Sequence, residues 1–483
     1  MKGYSWRVPR EPKLIRDAVH GYQLLARHEV PVVDSPLLQR LRGVHQTALA
    51  HLVYPTATHT RFDHSLGVAR MVQGMIEAMR SRADSATIPD ESLHRVRLAA
   101  LLHDCGHLLF SHLGETVAAD QFGDQITEAK EAAVGLFEAK SLGEIISYLM
   151  VTSPTFASGL DQALMDVGIH DVSADRIAPL ILGSSPDPGQ QFEADMISGP
   201  YDADKLDYLL RDCHFSGIRT TVDIERVYYT VRLLRTPGQP RSLAMHVSGV
   251  PNLEQILFAK MILFTSVYHH QKVRALECQF RGIIERLERH KDSLVQRELK
   301  LNSIADWLRL SEDQFFVLGA KEPAVSASVK QLARRELLKR ALVISVDTVT
   351  ESTQDGLILI YDDAEEKMES FRQLRLKIFD GMGASARGDI SDLWLDVPDP
   401  PTVIRDVLQV KITADQLSHR PLSSSKFQWD KWTNNYGVVK WRSHVFCPDR
   451  ERSRRSAAHS AAGVLRADHG IVLTKDAREF AKN

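Results

Sequence analysis

The sequence predicts a mainly α fold, a helical core with a smaller mixed α/β C-terminal part, and three observations carry that expectation. Over residues 37–285 most segments repeat apolar side chains at three- and four-residue spacing, the period of a helix with one buried face. The breaks between these segments fall at clusters of turn-forming residues, 183–189, 198–200 and 236–240. Beyond about residue 300 the character changes to β-branched apolar runs.

Taken in order, the first clear helix places Leu66, Val68, Met71, Met75 and Met79 on its buried side and is expected to run towards Arg80. A second apolar run, 96–102, ends at His103, and Leu253, Ile256, Leu257, Met261 and Phe264 mark a further helix. Residues 341–349 and 357–361 then read as strands, and 393–401 as an extended, proline-stiffened stretch. The charged segment 450–455 reads as a solvated loop, with a phosphate-binding patch as the alternative. Trp429, Trp432 and Trp441 read as part of a packed capping module, and there is no internal repeat.

A chain of 483 residues, 43% of them hydrophobic, can bury a large core, as one big domain with appendages or as two to three modules. Lys and Arg number 60 against 62 Asp and Glu, so a net charge of -2 gives no global reason to expect nucleic acid or an acidic membrane as partner. A polyanionic ligand would need a local basic pocket. The first 16 residues contain no apolar signal-type run, and nowhere do about eighteen apolar residues stand together, so a cytoplasmic protein is expected. The four cysteines, Cys105, Cys213, Cys278 and Cys447, form no CxxC pair and read as buried free thiols.

The chemistry-bearing residues start with the adjacent pair His103-Asp104, followed by His107, His112 and Glu115. A helix continued through this stretch would set His103 and His107 four apart on one face, both imidazoles towards one cavity. A helical histidine pair alone is more often a capped or core pair. The vicinal aspartate adds a hard oxygen to a neutral nitrogen, a donor combination suited to one divalent cation. Further donors stand at His64, near the start of its helix, and at Asp204, after the Gly199-Pro200 break. The order H…HD…D is the signature of the HD superfamily. Two His and two Asp leave coordination positions for water and a phosphate oxygen, as a catalytic site requires.

From Lys13 to about Glu285 the chain resembles the SAM-and-HD-domain and bacterial deoxyguanosine triphosphatase family within that superfamily. The matching blocks are Ile15-Arg16-Asp17-Ala18-Val19-His20-Gly21, Asp34-Ser35-Pro36-Leu37-Leu38-Gln39-Arg40-Leu41-Arg42 and Asp204-Lys205-Leu206-Asp207-Tyr208-Leu209-Leu210-Arg211-Asp212. Beyond about 300 the resemblance is weak and rests mainly on residues 394–401. It implies hydrolysis of deoxynucleoside triphosphates to deoxynucleoside and tripolyphosphate, with manganese, magnesium or iron held by His64, His103, Asp104 and Asp204. It further implies that His107 contacts the α-phosphate and that His112, oriented by Glu115, protonates the leaving 5′-oxygen, a poor leaving group without an acid. By the same resemblance Arg61 and Lys205 bind phosphate and Gln46, Tyr208 and Asp212 hold the 3′-hydroxyl. Tyr268 would pack beneath the sugar and exclude ribonucleotides. A packing histidine at 112 and an ordinary helical tyrosine at 268 are the plain alternatives.

Lys13, Asp34, Gln39 and Arg42 fall where animal members bind an activating nucleotide between subunits of a homo-oligomer, a tetramer or hexamer in this family. A surface ion-pair network among them needs no ligand. The basic segments 334–340 and 450–455 lack the interleaved aromatics of a single-strand stacking platform, so nucleic acid is unsupported as a partner. Two departures stand out: Phe137-Glu138, with Ser141 three on, replaces a common His-Glu pair, and Thr47 replaces a leucine of the animal members. The expected division is residues 1–300 for the metal and nucleotide site and 301–483 for regulation or oligomerisation. Competing readings are a hydrolase of the same superfamily acting on a monophosphate or signalling nucleotide, and a weakly catalytic nucleotide sensor.

Overall fold

The computed structural model describes residues 4–82, 88–132, 135, 137, 140–220, 222–290, 298–357, 360, 368–384, 388–398, 405–424 and 428–480. The fold is mainly helical with small sheets. The strands are β1 (Lys13–Asp17), β2 (Gly21–Leu25), β3 (Val231–Leu234), β4 (Ser242–His246), β5 (Lys339–Ile344), β6 (Trp394–Asp396), β7 (Lys411–Thr413), β8 (Arg420–Pro421) and β9 (Ser443–Cys447). Two compact units are present: Met1–Leu263 with Leu301–Gln314 and Ile404–Gln428, and Phe264–Lys300 with Phe315–Val403 and Trp429–Asn483.

In the first unit the central helix is α1 (Arg61–Arg80). Thr60 and Asp63 form a reciprocal capping box, in which Asp63 N donates to Thr60 Oγ1 at 3.4 Å and Thr60 N to Asp63 Oδ2 at 2.9 Å. Leu66, Val68, Met71, Met75 and Met79 are all buried, as their spacing predicts. This helix packs on α2 (Asp90–Leu102) and on the later α5 (Ala203–Ser216), with α3 (Ser111–Ala132) and α4 (Leu142–Val151) between them in sequence. The α5 N-cap is Asp202, whose side chain accepts from Lys205 N, and its C-terminus is closed by Gly217 in the left-handed region at φ 75°. Val250–Leu263 is helical as read, with Leu253, Ile256, Leu257 and Met261 buried.

Two strand pairs in this unit escaped the periodicity. The strands β1 and β2 form an antiparallel hairpin, closed where Asp17 Oδ1 accepts from Val19 N at 2.7 Å and His20 N at 2.8 Å. Within the stretch read as helical, β3 and β4 pair antiparallel around the 236–240 turn and join a sheet of order β3-β4-β7-β8, in which β7 runs parallel to β4. Four- and five-residue strands are too short to show a period against their helical neighbours.

The second unit packs a sheet of order β5-β9-β6, antiparallel throughout, under α7 (Met368–Gly381) and α8 (Glu451–His469). Its core includes Leu342, Ile344, Leu374, Ile378, Val445, Ala457 and Leu465. It also contains α6 (Gln271–Arg289). Trp429 and Trp441 are buried, and Trp441 Nε1 donates to Pro398 O at 2.8 Å. Three expectations are corrected here. The run 341–349 is a strand only to Ile344. Residues 355–357 and 360 are helical, not extended, because Leu357 and Ile360 bury one face at three-residue spacing, and 358–359 and 361 lie outside the described residues. The charged segment 450–455 opens α8 instead of forming a loop, with Ala457, Ala458 and Ala461 buried further along the same helix. The extended stretch near 393 is β6, and 399–401 lie outside the described residues. Among the described residues no helix is long and apolar enough to cross a membrane.

Candidate active site

Three helix ends converge in the first unit. His64 stands in the first turn of α1, Asp204 in the first turn of α5, and His103-Asp104 in the turn that follows α2. His64 Nε2 lies 2.9 Å from Asp204 Oδ1 and 3.6 Å from Asp104 Oδ2. His103 Nε2 lies 3.2 Å from Asp104 Oδ1 and 3.9 Å from Asp204 Oδ1. Ligand atoms of His64, His103 and Asp204 all fall within 4.8 Å of one another. The His103 ring is fixed from behind by Nδ1 donating to Ala100 O at 2.8 Å, which leaves Nε2 as a bare, buried lone pair with no hydrogen-bond partner. Two imidazoles and the Asp204 carboxylate gathered at one point make a donor set for a divalent cation, and Asp104 stands beside it with its oxygens on Arg61 and His107. The charge of the site agrees: burial disfavours a charged His64 ring, yet Asp204 and Asp207 beside it raise its pKa to about 10, so this point favours positive charge.

Behind His64 lies a second layer that the sequence reading left without a role. His64 Nδ1 contacts Asp207 Oδ2 at 2.7 Å, and Asp207 also takes Arg211 Nε at 2.8 Å, Arg211 Nη2 at 3.0 Å and His20 Nε2 at 2.5 Å. Arg211 Nη2 reaches Asp17 Oδ2 at 3.0 Å, so the β1–β2 hairpin tip is tied into the same cluster. Burial opposes ionisation of Asp207, but Arg211, then His20 and His64, hold its carboxyl well below the usual range. A carboxylate on the far nitrogen fixes ring tautomer and orientation. The signal in the sequence was the four-residue step from Asp207 to Arg211 on a helix. Gly67 makes the approach of α5 to α1 feasible, since a Cβ there would fall on Asp207 Oδ1 and Arg211 Nη2.

The turn after α2 corrects one expectation. His103 and His107 do not share a helix, because the chain leaves helical geometry after Leu102 and Gly106 packs backbone against backbone on residues 143–147, with Gly106 N donating to Ser147 Oγ at 2.8 Å. His107 still faces the same carboxylate, Nε2 lying 2.9 Å from Asp104 Oδ1, while its Nδ1 pairs with Glu115. Glu115 Oε2 lies 3.4 Å from His112 Nδ1, and the His112 side chain is 72% exposed. Burial disfavours charge on both groups and Arg61 disfavours it on His107, but their mutual pairing wins: His107 is raised to about 9 and Glu115 is held well below the usual range. Phe110 and Ser111 stand consecutively at φ 60° and 53°, a strained pair that opens α3. Arg40, also without an assigned role, clamps this turn through Cys105 O at 3.0 Å and His107 O at 2.6 Å.

Arg61 is buried, with Nη1 on Asp104 Oδ2 at 2.8 Å and Nε on Ser111 Oγ at 3.0 Å. Asp212 meets His59 Nε2 at 2.7 Å, and Gln46 N donates to His59 O at 3.1 Å, so Gln46, His59 and Asp212 gather together. Gln46 Oε1 and His59 Nδ1 are both buried without a partner. Lys205 Nζ is held on Asp202 Oδ2 at 2.7 Å and Gly199 O at 2.9 Å, and Tyr208 is half-buried one turn on from Asp204. Tyr268 belongs to the second unit, in the π-helical turn Phe264–Tyr268, its ring 5.6 Å from that of Phe264. Lys13 and Asp34 pair at 3.2 Å on the surface, and Arg42 donates to Gln39 Oε1 at 2.9 Å while stacking on Phe62 at 3.7 Å. Phe137 is buried among Ile145, Leu182 and Tyr148, and Glu138 lies outside the described residues.

The HD domain matches residues 61–168 and the HD associated region matches residues 222–465. An uncharacterized protein of Methanocaldococcus jannaschii is 27% identical over 304 residues, 62% of this chain and 56% of the relative. Deoxynucleoside triphosphate triphosphohydrolase SAMHD1 of Gallus gallus is 25% identical over 362 residues, 71% of this chain and 58% of the relative. The Homo sapiens protein of that name is 28% identical over 276 residues, 54% of this chain and 42% of the relative. The chain thus spans about half the length of the curated relatives it matches. With an HD domain followed by an HD associated region that covers half its length, the chain belongs to the HD-domain hydrolase superfamily.

Proposed function

We propose that this chain is a divalent-metal-dependent hydrolase that converts deoxynucleoside triphosphates to deoxynucleoside and tripolyphosphate. The observation that carries the reading is the His64, His103, Asp204 cluster, with the bare His103 Nε2 aimed at two carboxylates. His64, His103, Asp104 and Asp204 would hold manganese, magnesium or iron, and that ion supplies charge neutralisation and a lowered water pKa when bound. The chain's own groups would do the rest. Water adds to the α-phosphorus as the bond to the 5′-oxygen breaks, and exposed His112, oriented by Glu115, passes its proton to that oxygen. His107, Arg61 and Lys205 would grip phosphate, the last two after leaving their carboxylate partners. Gln46, Tyr208 and Asp212 would hold the sugar.

The curated relatives named as deoxynucleoside triphosphate triphosphohydrolases support the substrate class. In this reading a nucleotide held by Lys13, Asp34, Gln39 and Arg42 between subunits of a tetramer or hexamer activates the enzyme in the cytoplasm. Residues 301–483 would serve regulation or oligomerisation, apart from 301–314 and 404–428, which complete the first unit. A second reading, a weakly catalytic nucleotide sensor, is favoured by the apolar Phe137 where the family commonly has a histidine. Chromatography of each dNTP and NTP, incubated singly and in mixtures with manganese or magnesium, separates the two. Deoxynucleoside and tripolyphosphate are expected, abolished by Asp104→Ala and slowed about 10²–10⁴-fold by His112→Ala. No turnover in any mixture sinks the hydrolase reading.

A further inference from the structure

A second cluster of ligand-type side chains lies in the first unit, made of residues given no role above. His45, His51 and Glu312 place their ligand atoms within 4.8 Å of one another. We propose that these three residues bind a second divalent transition-metal ion, of the zinc class, which pins the segment carrying Gln46 to the segment carrying Glu312.

The donors are held in place by the fold. Glu312 is 2% exposed, its Oε1 accepts His45 N at 2.9 Å, and its Oε2 lies 2.5 Å from His45 Nδ1. His51 Nδ1 donates to Ala48 O at 3.0 Å, which fixes the tautomer and leaves Nε2 carrying a lone pair. Ala48 itself adopts φ 49°, in the left-handed region that a non-glycine residue rarely holds. The two imidazoles stack with centroids 4.4 Å apart and planes 23° apart, and two protonated rings at that distance would repel. Ser111 Oγ donates to His45 O at 2.7 Å, so the backbone carrying the first ring is fixed as well.

A plain His45–Glu312 ion pair accounts for those two residues. It gives no reason for a strained alanine to hold His51 against the same pair. Two imidazole nitrogens and one carboxylate form a three-ligand set that suits zinc and leaves room for water. The ion takes the place of the proton shared by His45 Nδ1 and Glu312 Oε2, so two neutral rings and one carboxylate face two positive charges. The neighbouring Asp313 acts electrostatically on both rings and adds to the negative field.

The test is metal stoichiometry on the full chain, stripped with chelator, dialysed against zinc or cobalt, and measured by mass spectrometry of the metal and by cobalt absorbance. Wild type is expected to hold two equivalents, and His51→Gln, chosen because His51 is half-exposed, and Asp104→Ala one each, with circular dichroism reporting that both are folded. In the Asp104→Ala background, His51→Gln should weaken the remaining cobalt site at least tenfold. A single equivalent kept in His51→Gln and lost in Asp104→Ala overturns the second site. A single equivalent lost in His51→Gln and kept in Asp104→Ala sustains it and sinks the metal reading of the main centre instead.

Discussion

Asp207 shows how much of a site can be set by a residue that never reaches its centre. It is fully buried, accepts from two basic partners, and fixes His64 through the ring nitrogen that points away from Asp204. Asp207→Asn retains the shape and removes the charge that polarises the ring. Metal affinity of the main centre should fall about 10–100-fold, the range for partners of ligating histidines. A metal titration of folded variant reads this directly, and a lowered melting temperature with unchanged affinity would reduce Asp207 to a stability residue. Such a residue is hard to read from sequence. The motif block exposes Asp207 as one of several acids, but only the approach of the β1–β2 hairpin shows that His20 reaches it and that Asp17 holds its partner Arg211.

At the scale of elements, helix packing sets which glycines matter. On α1 a methyl at Gly67 would meet Asp207 and Arg211, whereas Gly463 on α8 has nothing within 4 Å. The same substitution therefore has opposite signs. Gly67→Ala should destabilise by about 1–3 kcal/mol through overpacking, and Gly463→Ala should stabilise by about 0.5–1 kcal/mol through lost chain entropy. Thermal or denaturant unfolding of the two variants checks both signs. The long helices were legible because their apolar period runs over several turns and their caps, such as Thr60 with Asp63, are local. The strands β3 and β4 were not, since their pairing is with each other and with β7, far along the chain. The turn at 103–107 misled for a related reason: what ends the helix is Gly106 lying on residues 143–147, a contact no local spacing encodes. The motif order still pointed to His64, His103, Asp104 and Asp204, which the fold brings together. It was silent on Arg40, His59 and Asp207, whose partners are remote.

For the molecule as a whole, buried histidines tie stability to pH. Burial lowers the pKa of His28 from 6.5 to about 4, against the pull of Glu29. The unfolded chain then takes up a proton at pH 6.5 that the folded chain refuses until about pH 4. The neutral ring's contribution is complete above pH 6.5, declines as pH falls, and is gone below about pH 4. Its size is at most about 3 kcal/mol. Denaturant titrations of wild type and His28→Gln at several pH values should show their stability difference shrinking towards acid, and a constant difference would refute the assignment.

The sheet β3-β4-β7-β8 also governs the order in which the molecule can be completed. Its strand β4 meets β7 only after residues 264–300 and 315–403, which belong to the other unit, have been made. During synthesis the first unit keeps an open strand edge until Thr413 has emerged, an edge able to pair wrongly with another nascent chain. Cutting the gene near residue 300 would leave that edge exposed for good and would remove Glu312 as well. The helical unit is therefore discontinuous in the chain, begun first yet not closed until most of the second unit has been made.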